Sequence, residues 1–445
     1  MQKLLSTVIS EDNASPVKGD LMPSVVVKSC CELYEGLDQD EKIKFFEILS
    51  RDFGVDRKLA AAASSSYLKL VSSEATSDSQ LWKAENILKN TLEPSHSKFF
   101  DRVNQLPGGM KFLVDMRADL LEIIGAYKHR QDQIGHLISL DASIKYKLQN
   151  WLFGFLKLER ITWQSPAVLL EKIGRYEAVH AVKDWRDMKR LQYLMIVSSS
   201  RRVGPRRRVF GFFFNNMPTE PLVFVQVALV DAMSTSIQKI LTEDDLTTRQ
   251  DPQKLSCATF YSITTQRGLN GINLGNFLIK RVVRDLKKEF PQIQTFATLS
   301  PIPGFRGWLR NQVEINEDIR RELEGVNYFD SAHEILDTAD WIRDRKKADA
   351  IKPVLMRLCA QYLVSERRGN VALDPVGKYP LNSHKGIAES FSIMVNYNYM
   401  LDHIEENNEQ YLAGGIITIS EPKGESAKTQ TWLRSRIGHN VRTVS

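Results

Sequence analysis

Apolar residues three or four positions apart dominate the first 150 residues, a spacing typical of amphipathic helices. Asp38–Phe53 begins with acidic residues, as helices often do, and carries Ile43, Phe46 and Leu49 on one face. The same pattern predicts further helices at Ser79–Leu88, Met110–Tyr127 and Leu140–Leu156. Short connections between such segments indicate a helical bundle, in which no residue requires a chemical role.

After about residue 160 the pattern changes to short runs rich in Val, Phe, Ile and Thr, which favour β-strands. The predicted strands are Val209–Phe214, Leu222–Leu229, Ala258–Thr264, Thr295–Leu299 and Ile416–Ser420. Between two of them, Leu274–Phe290 has a helical apolar face and is followed by Pro291, which stops a helix. Strand, glycine-bearing loop, helix and strand together indicate a βαβ-like unit within a mixed domain.

Composition narrows the class of protein only broadly. The 445 residues are enough for two or three domains, and their 42% hydrophobic and 26% charged content is ordinary for a globular protein. There is no run of about 18 uncharged apolar residues, so no membrane span is predicted. The four cysteines lack the spacing of a metal site and are expected to be idle or buried thiols of an intracellular protein.

Part of the net charge of +6 lies in arginines around a Gly-Pro turn, at positions 201, 202, 206, 207 and 208. Such a cluster is compatible with nucleic-acid binding, with a phosphate-rich small ligand, or with a solvated basic loop. The rest of the chain mixes both signs of charge and contains no nucleic-acid-binding motif. We therefore expect no nucleic-acid partner, and we leave the other two alternatives open.

The glycine-bearing loop TTQRGLNGINLGNFLIK, from Thr264 to Lys280, is the first candidate for chemistry. Gly268, Gly271 and Gly275 lie between a predicted strand and the start of a helix, where free N–H groups and the positive end of the helix dipole favour a pyrophosphate. The motif is neither the dinucleotide-binding fingerprint nor a P-loop. Because many such loops carry glycine for steric reasons alone, both interpretations stay open.

Ser300 is the second candidate, because it ends a predicted strand and is followed by a turn stiffened by Pro301 and Pro303. Rigid neighbours suit a preorganised hydroxyl, although the spacing alone favours a serine that caps its own turn. Further along, His384, Tyr397 and Tyr399 carry titratable or hydroxyl groups. Each of them, taken alone, also fits an ordinary surface or packing position.

Several of these segments together resemble the malonyl-CoA decarboxylase family. The matching pieces are FLVDMRADLLE, LERITWQSPAVLLEKI, YEAVHAVKDWRDMKR, ATFYSITTQRGLNGINLGNFLIKRVV, FATLSPIPGFRGWL, LMRLCAQYLV and ALDPV, followed by a GI-x-x-S…NYxY stretch. They occur in the family's order from about Gly54 to Tyr399. The resemblance implies an α+β protein: a helical domain over residues 1–150, and over residues 151–445 a catalytic domain of the acetyltransferase-like (GNAT-type) fold.

The resemblance also implies the reaction and the residues that serve it. The expected reaction converts malonyl-CoA to acetyl-CoA and CO2, without a cofactor or metal, and controls malonyl-CoA in fatty-acid metabolism. By position, Ser300 matches the catalytic serine and Tyr399 an active-site tyrosine. Ser262 matches a ligand-contacting serine. The family's CoA-contacting loop falls on Asn270, Gly271, Ile272, Asn273, Leu274, Gly275 and Asn276, with Asn273 standing where the family has Glu.

This sequence departs from the family pattern at two places. After Asp374-Pro375-Val376 the family carries its catalytic histidine, but here Pro380 follows the aromatic residue and the next family stretch is missing. His384 lies beyond that gap and matches a non-catalytic position. Leu191–Arg201 is an insertion relative to the family. Matching sequence on both sides of each change favours altered splicing or a misjudged exon boundary as a hypothesis.

The departures leave more than one function open. A decarboxylase is the first hypothesis, an impaired variant that still binds CoA thioesters is the second, and an acyl-CoA-dependent N-acyltransferase is allowed by fold analogy alone. The family tends to form homo-oligomers through its helical domain, so a homo-oligomer is expected. No clear targeting signal occurs. A cytoplasmic location is therefore predicted, with mitochondria or peroxisomes possible from the family.

Overall fold

The computed structural model describes residues 2–10, 21–73, 75–127, 133–162, 164–177, 206–215, 219–234, 236–242, 254–338, 340–368, 371–373, 393–399, 417–420 and 441–444, with isolated positions at 217, 391, 403, 406, 407, 409, 410 and 413. His384, the Leu191–Arg201 insertion and the gap that follows Tyr379 lie outside these residues. The chain divides into two compact units. Unit 1 comprises residues 1–157, 213–220 and 266–272, and unit 2 comprises 158–212, 221–265 and 273–445.

Unit 1 is built from helices. They are α1 (Gln2–Ser10), α2 (Leu21–Glu35), α3 (Gln39–Arg51), α4 (Arg57–Val71), α5 (Asp78–Leu92), α6 (His96–Gln105), α7 (Gly109–Ala126) and α8 (Gly135–Phe153). The four predicted helices are confirmed as α3, α5, α7 and α8. Asp38 begins α3 through a capping box, in which its carboxylate accepts from the Glu41 N–H and the Glu41 carboxylate accepts from the Asp38 N–H. Fully buried Phe46, Leu113 and Leu148 contribute to its core.

Unit 2 is organised around a six-stranded mixed sheet in the order β1-β2-β3-β4-β5-β8. Its strands are β1 (Leu156–Ile161), β2 (Arg207–Phe214), β3 (Val223–Val230), β4 (Cys257–Thr265), β5 (Thr295–Pro301) and β8 (Met394–Asn398). β4 and β5 are parallel, whereas β2/β3, β3/β4 and β5/β8 are antiparallel. Shorter strands form β6 (Arg367–Arg368) with β7 (Val371–Ala372), and β9 (Ile417–Ser420) with β10 (Val441–Val444).

The predicted strands are all confirmed, as β2, β3, β4, β5 and β9, and the predicted crossover helix is α11 (Leu274–Glu289). Leu278, Val282 and Leu286 on α11 are fully buried, as the helical spacing predicted. The remaining helices of unit 2 are α9 (Ala167–Tyr176), α10 (Ile237–Thr242), α12 (Phe305–Ile315), α13 (Glu317–Glu324), α14 (Ala332–Asp337) and α15 (Arg345–Val364). The fold is therefore α+β.

A second core in unit 2 lies among α12 to α15, beyond the end of β5. Phe305 stacks on Trp308 at 5.9 Å between ring centroids and packs against Tyr362 at 5.8 Å. The Tyr362 hydroxyl donates to the Pro303 carbonyl at 3.3 Å. This cluster therefore braces the turn that follows Ser300.

The arginines near the Gly-Pro turn do not form one solvated loop. Arg207 and Arg208 begin β2 and are buried. The Arg207 guanidinium lies over the Tyr261 ring, and Arg208 pairs with Glu289 at 2.7 Å. The solvated-loop interpretation is wrong for these two residues. Their strand, β2, lies between β1 and β3 in the sheet, and all of its residues are buried. Arg201 and Arg202 lie outside the described residues.

Within the described part of the chain, no helix combines the length and the apolar character that a bilayer crossing requires.

Candidate functional site in the β4–β5 opening

The parallel strands β4 and β5 separate before either of them ends. Their register runs from Cys257↔Thr295 to Phe260↔Thr298, yet β4 continues to Thr265 and β5 to Pro301. Beyond the last pair, the facing main-chain N–H and C=O groups are not used by that ladder. A gap of this kind at the carboxyl ends of two parallel strands is a place where a ligand can bind. We call this region the β4–β5 opening and define it by residues 261–265 and 299–301.

A bulge in β4 marks the start of the opening. Gln226 on β3 pairs with Ser262 and the next residue, Val227, pairs with Phe260, so Tyr261 is the extra residue. A bulge bends its strand and increases the local twist, which turns β4 away from β5. Because Tyr261 is the extra residue, Ser262 is only one ladder step beyond Phe260, whereas Ser300 is two residues beyond Thr298. The two predicted serines therefore both lie in the opening, one ladder step apart.

Their side chains nevertheless lie on opposite faces of the sheet. Neighbouring residues on a strand point to opposite faces, so Gln226 and its partner Ser262 face away from Val227, Phe260 and Thr298. Ser300 shares the face of Thr298 because they are two residues apart on β5. Packing supports the assignment, since Tyr261 belongs to one buried cluster with Leu299 and Ala228, which lie on the Ser262 face. The Ser262 and Ser300 hydroxyls therefore lie on opposite sides of the sheet.

Ser300 is only 8% exposed to solvent, and no described residue is a hydrogen-bond partner of its hydroxyl. Its strand pairs with β8 through Val395. The turn behind it is held by the Pro303–Tyr362 hydrogen bond and ends at Gly304, whose φ of +87° favours glycine. A fixed backbone with an unused hydroxyl suits contact with a ligand, whereas a turn-capping serine would use its oxygen locally.

Tyr399 follows β8 directly, and its N–H donates to the Phe296 carbonyl at 2.7 Å. Its ring meets Phe260 edge-on at 6.4 Å between centroids. Burial raises the pKa of Tyr399 above its ordinary value, and the nearby Thr298 side chain opposes the shift in part. By strand register, Tyr399 lies at the level of Phe296, four residues or roughly 13 Å along β5 from Ser300. Thr298 stands between them on the same face.

Ser262 belongs to a buried polar cluster that the sequence did not reveal. Its hydroxyl donates to Glu177 Oε1 at 2.7 Å, and the Gln226 amide donates to Glu177 Oε2 at 2.5 Å. The Tyr261 hydroxyl donates to Gln226 Oε1 at 2.9 Å. Glu177 is only 4% exposed, although it lies just after α9 and 85 residues before Ser262. The only signal in the sequence was its place in the matching piece YEAVHAVKDWRDMKR.

The predicted CoA loop, Asn270–Asn276, follows a 3-10 turn at Arg267–Leu269 and ends in the first turn of α11. Asn270, Gly271 and Asn273 are exposed, and Asn276 is half-buried. Ile272, Leu274 and Gly275 are buried and serve packing. Gly271 has a φ of +77°, which side chains rarely adopt. The first turn of α11 contains no acidic residue, so the positive end of its dipole is not neutralised there.

A lysine that the sequence did not single out lies beside this loop within unit 1. A Cβ placed on Gly271 would lie 3.2 Å from the Lys145 ammonium. No described residue forms an ion pair with that ammonium. Gly268 has a different role: a Cβ there would lie 2.7 Å from the Val114 carbonyl carbon and closer still to its oxygen. Gly268 therefore allows α7 to approach, and the steric interpretation holds for it.

Unit 1 also contains a cavity of about 1130 Å³ that holds none of the predicted site residues. Arg51, Arg57, His96 and His136 are among its lining residues. Burial lowers the pKa of His96 to about 4, and its Nδ1 lies 3.3 Å from the Leu49 carbonyl. Among the described residues, no group of His, Cys, Asp and Glu side chains could hold a metal ion.

The fold and the opening define a class: an α+β protein with a helical unit and a mixed sheet whose parallel pair β4/β5 opens beside Ser300, a serine whose hydroxyl has no partner among the described residues. Comparison with known proteins agrees. A family described as the malonyl-CoA decarboxylase C-terminal domain matches residues 154–435, and one described as the malonyl-CoA decarboxylase N-terminal domain matches residues 53–152. The mitochondrial malonyl-CoA decarboxylase of Mus musculus is 36% identical over 444 residues, covering 93% of this chain and 86% of that protein.

Other relatives give the same result. The mitochondrial malonyl-CoA decarboxylase of Anser anser anser is 36% identical over 420 residues, which cover 87% of this chain and 80% of that protein. The crystal structure of malonyl-CoA decarboxylase from Rhodopseudomonas palustris matches with a TM-score of 0.74 and 32% identity, covering 93% of this chain and 95% of that one. The one from Agrobacterium vitis matches with a TM-score of 0.73 and 30% identity, covering 97% and 98%. The chain belongs to the malonyl-CoA decarboxylase family.

Proposed function

We propose that this protein decarboxylates malonyl-CoA to acetyl-CoA and CO2, with Ser300 at the reacting end of the substrate. The observation that carries the proposal is the position of the Ser300 hydroxyl at the β4–β5 opening, without a partner among the described residues, in a chain related to decarboxylases along nearly its whole length. Loss of CO2 leaves a thioester enolate, so donors placed where the negative charge develops lower the barrier. The Ser300 hydroxyl at the opening is such a donor.

The other predicted residues receive supporting roles in this proposal. Asn270–Asn276 hold the diphosphate of CoA at the start of α11, because free N–H groups and an uncompensated dipole favour an anion. Tyr399 closes the floor of the site beside Phe260, since its ring contacts that side chain. Ser262 contacts the pantetheine arm of the CoA thioester from the other face of the sheet. The division into a helical domain at 1–150 and a catalytic domain at 151–445 is part of the same proposal.

The experiment measures acetyl-CoA formation from malonyl-CoA by chromatography, for the wild type and for Ser300→Ala. Ser236→Ala is the matched control, because its hydroxyl contacts only the neighbouring Gln238 side chain within the described residues. We expect turnover in the wild type and the control, and a loss of at least about tenfold in Ser300→Ala. A folded wild type that binds malonyl-CoA without turnover would instead identify an impaired family member. The N-acyltransferase alternative gains nothing from the relatives.

We also propose that the protein is a homo-oligomer assembled through its helical domain. Large apolar side chains are exposed on α4 and α5, among them Leu59 at 61%, Leu68 at 61%, Trp82 at 68% and Ile87 at 60%. Exposed apolar side chains on two neighbouring helices are groups that a protein–protein interface would cover. Light scattering should therefore show a smaller particle for Leu68→Glu/Trp82→Glu, and an unchanged one for Tyr146→Glu on α8. For location we propose the cytoplasm or the mitochondrion, which imaging of a fluorescent fusion distinguishes.

A further inference from the structure

The buried carboxylate of Glu177 is joined to both residues that form the β4 bulge. It accepts directly from the Ser262 hydroxyl and, through the Gln226 amide, is linked to the Tyr261 hydroxyl. Tyr261 and Ser262 are the residues at which β4 leaves β5. All four side chains are at most 4% exposed, so solvent does not compete for these hydrogen bonds. A carboxylate in such surroundings is costly unless its oxygens are satisfied, and here each oxygen accepts a bond.

The directions of the hydrogen bonds determine what Ser262 can offer to a ligand. Its single proton is directed to Glu177, so the Ser262 oxygen retains only lone pairs for another partner. A hydroxyl held in this way accepts from an N–H donor, such as an amide of the pantetheine arm of a CoA thioester. A hydroxyl free to rotate would present its proton to some ligands and its lone pairs to others.

Arg207 adds a second constraint on the same cluster. Its guanidinium lies over the Tyr261 ring at 5.7 Å and donates to the Ile240 carbonyl. Tyr261 is therefore held on its face by a cation and at its hydroxyl by Gln226. The bulge has little freedom to relax towards a regular strand, which would bring β4 back into register with β5 and close the opening.

We propose that Glu177 is a positioning residue that holds the β4 bulge open and orients Ser262 towards an amide donor of the CoA thioester. The inference rests on the proposed function for the identity of the substrate. It goes beyond that proposal because it assigns the geometry of the opening to a residue from a distant part of the chain.

The test is a double-mutant cycle with Glu177→Gln, Ser262→Ala and the double variant. Glutamine keeps the size of the side chain but replaces one accepting oxygen with a donor, so the cluster cannot satisfy Ser262 and Gln226 as it does now. We expect kcat/KM for malonyl-CoA to fall by about tenfold or more in each single variant, mainly through KM. The double variant should be no worse than Ser262→Ala, because Glu177 acts through Ser262. Ser262→Thr, which keeps the hydroxyl, should restore part of the loss.

Glu289→Gln is the matched control, since it removes a carboxylate paired with Arg208 elsewhere in unit 2. It should change stability without changing KM. Calorimetry measures the affinity of the same variants for acetyl-CoA. This affinity should fall in Glu177→Gln and Ser262→Ala even if the wild type shows no decarboxylation. That readout separates a failure of the inference from a failure of the proposed function. Losses that add in the double variant, or wild-type KM and acetyl-CoA affinity in Glu177→Gln, would overturn the inference.

Discussion

Replacing Gly268 with alanine is expected to destabilise the protein because its Cβ would overlap the backbone of α7. The added carbon would lie 2.7 Å from the Val114 carbonyl carbon and nearer to its oxygen. Both partners are backbone, so no side-chain rotation relieves the overlap. The turn and the helix have to move apart by roughly 1–2 Å to reach ordinary contact distance.

This movement also breaks a hydrogen bond. The buried Arg117 guanidinium, one turn after Val114 on α7, donates to the Gly268 carbonyl at 2.6 Å and to Asp141 at 2.7 Å. Overpacking costs about 1–3 kcal/mol, and loss of a hydrogen bond to a charged group costs about 1.5–3 kcal/mol. Together they predict a loss of about 3–5 kcal/mol, since the two contributions share the same movement and do not fully add.

The assay is urea and thermal unfolding followed by circular dichroism, with Gly125→Ala as the control. Gly125 lies on the same helix with nothing within 4 Å of its Cβ position, so alanine there should be neutral or stabilising by up to about 1 kcal/mol. For Gly268→Ala the melting temperature should fall by roughly 2–4 °C for each kcal/mol lost, as in units of about 150–250 residues.

A second variant separates steric overlap from hydrogen bonding. Arg117→Met removes the guanidinium without adding volume at Gly268, and should destabilise by about 3–5 kcal/mol because Asp141 loses its partner. Affinity for acetyl-CoA should also fall in Gly268→Ala, because Asn270–Asn276 continue directly from this turn. If Gly268→Ala unfolds at the same urea concentration as Gly125→Ala, the close approach of α7 is not a constraint and the reasoning is refuted.

Two further predictions concern charge in unit 1. Lys145→Met should weaken CoA affinity by about 2–10-fold, and by less at high salt, because the Lys145 ammonium lies beside Gly271. Calorimetry measures the affinity, and Lys147→Met is the control because the Lys147 ammonium donates to Asp101 at 2.7 Å. Equal CoA affinities in the two variants would contradict the role of Lys145. Burial lowers the pKa of His96 to about 4 from an ordinary 6.5, so as the pH falls His96 is protonated in the unfolded chain before it is protonated in the folded protein. The contribution of His96 to stability should therefore be complete above about pH 6.5 and be lost as the pH falls towards 4. Urea unfolding midpoints measured across this range should fall less in His96→Gln than in the control His333→Gln, which changes an exposed histidine. If the midpoints of both variants fall equally with pH, His96 is not the cause.

Local patterns in the sequence were sufficient for the strongly periodic elements because periodicity records which face of an element is buried. The helical spacing of Phe46 and Leu49 predicted α3, and the run Ala258–Thr264 predicted β4. β1, β8 and the helices after Phe305 were not predicted. Strand β8 spans only Met394–Asn398, and a short run of mixed residues carries little periodic signal.

The candidate site was predictable only in part, for reasons visible at single residues. Ser300 and the loop at Asn270–Asn276 could be named from a resemblance and from the chemistry of serine and glycine. Glu177 could not, because its partner Ser262 is 85 residues away and no local pattern records such a contact. Nor could Gly268 be assigned its steric role before α7 was seen to approach it.

The amino-acid order by itself determined the strongly periodic helices and strands, the α+β class and the resemblance to the decarboxylase family, since these depend on local periodicity and on motifs read in line. Only the tertiary structure decided that Ser262 and Ser300 lie on opposite faces of the sheet within the β4–β5 opening. One extra residue, Tyr261, shifts the alternation of β4 relative to β3. Register describes how two neighbouring strands pair, so it cannot be determined from the sequence of either strand alone.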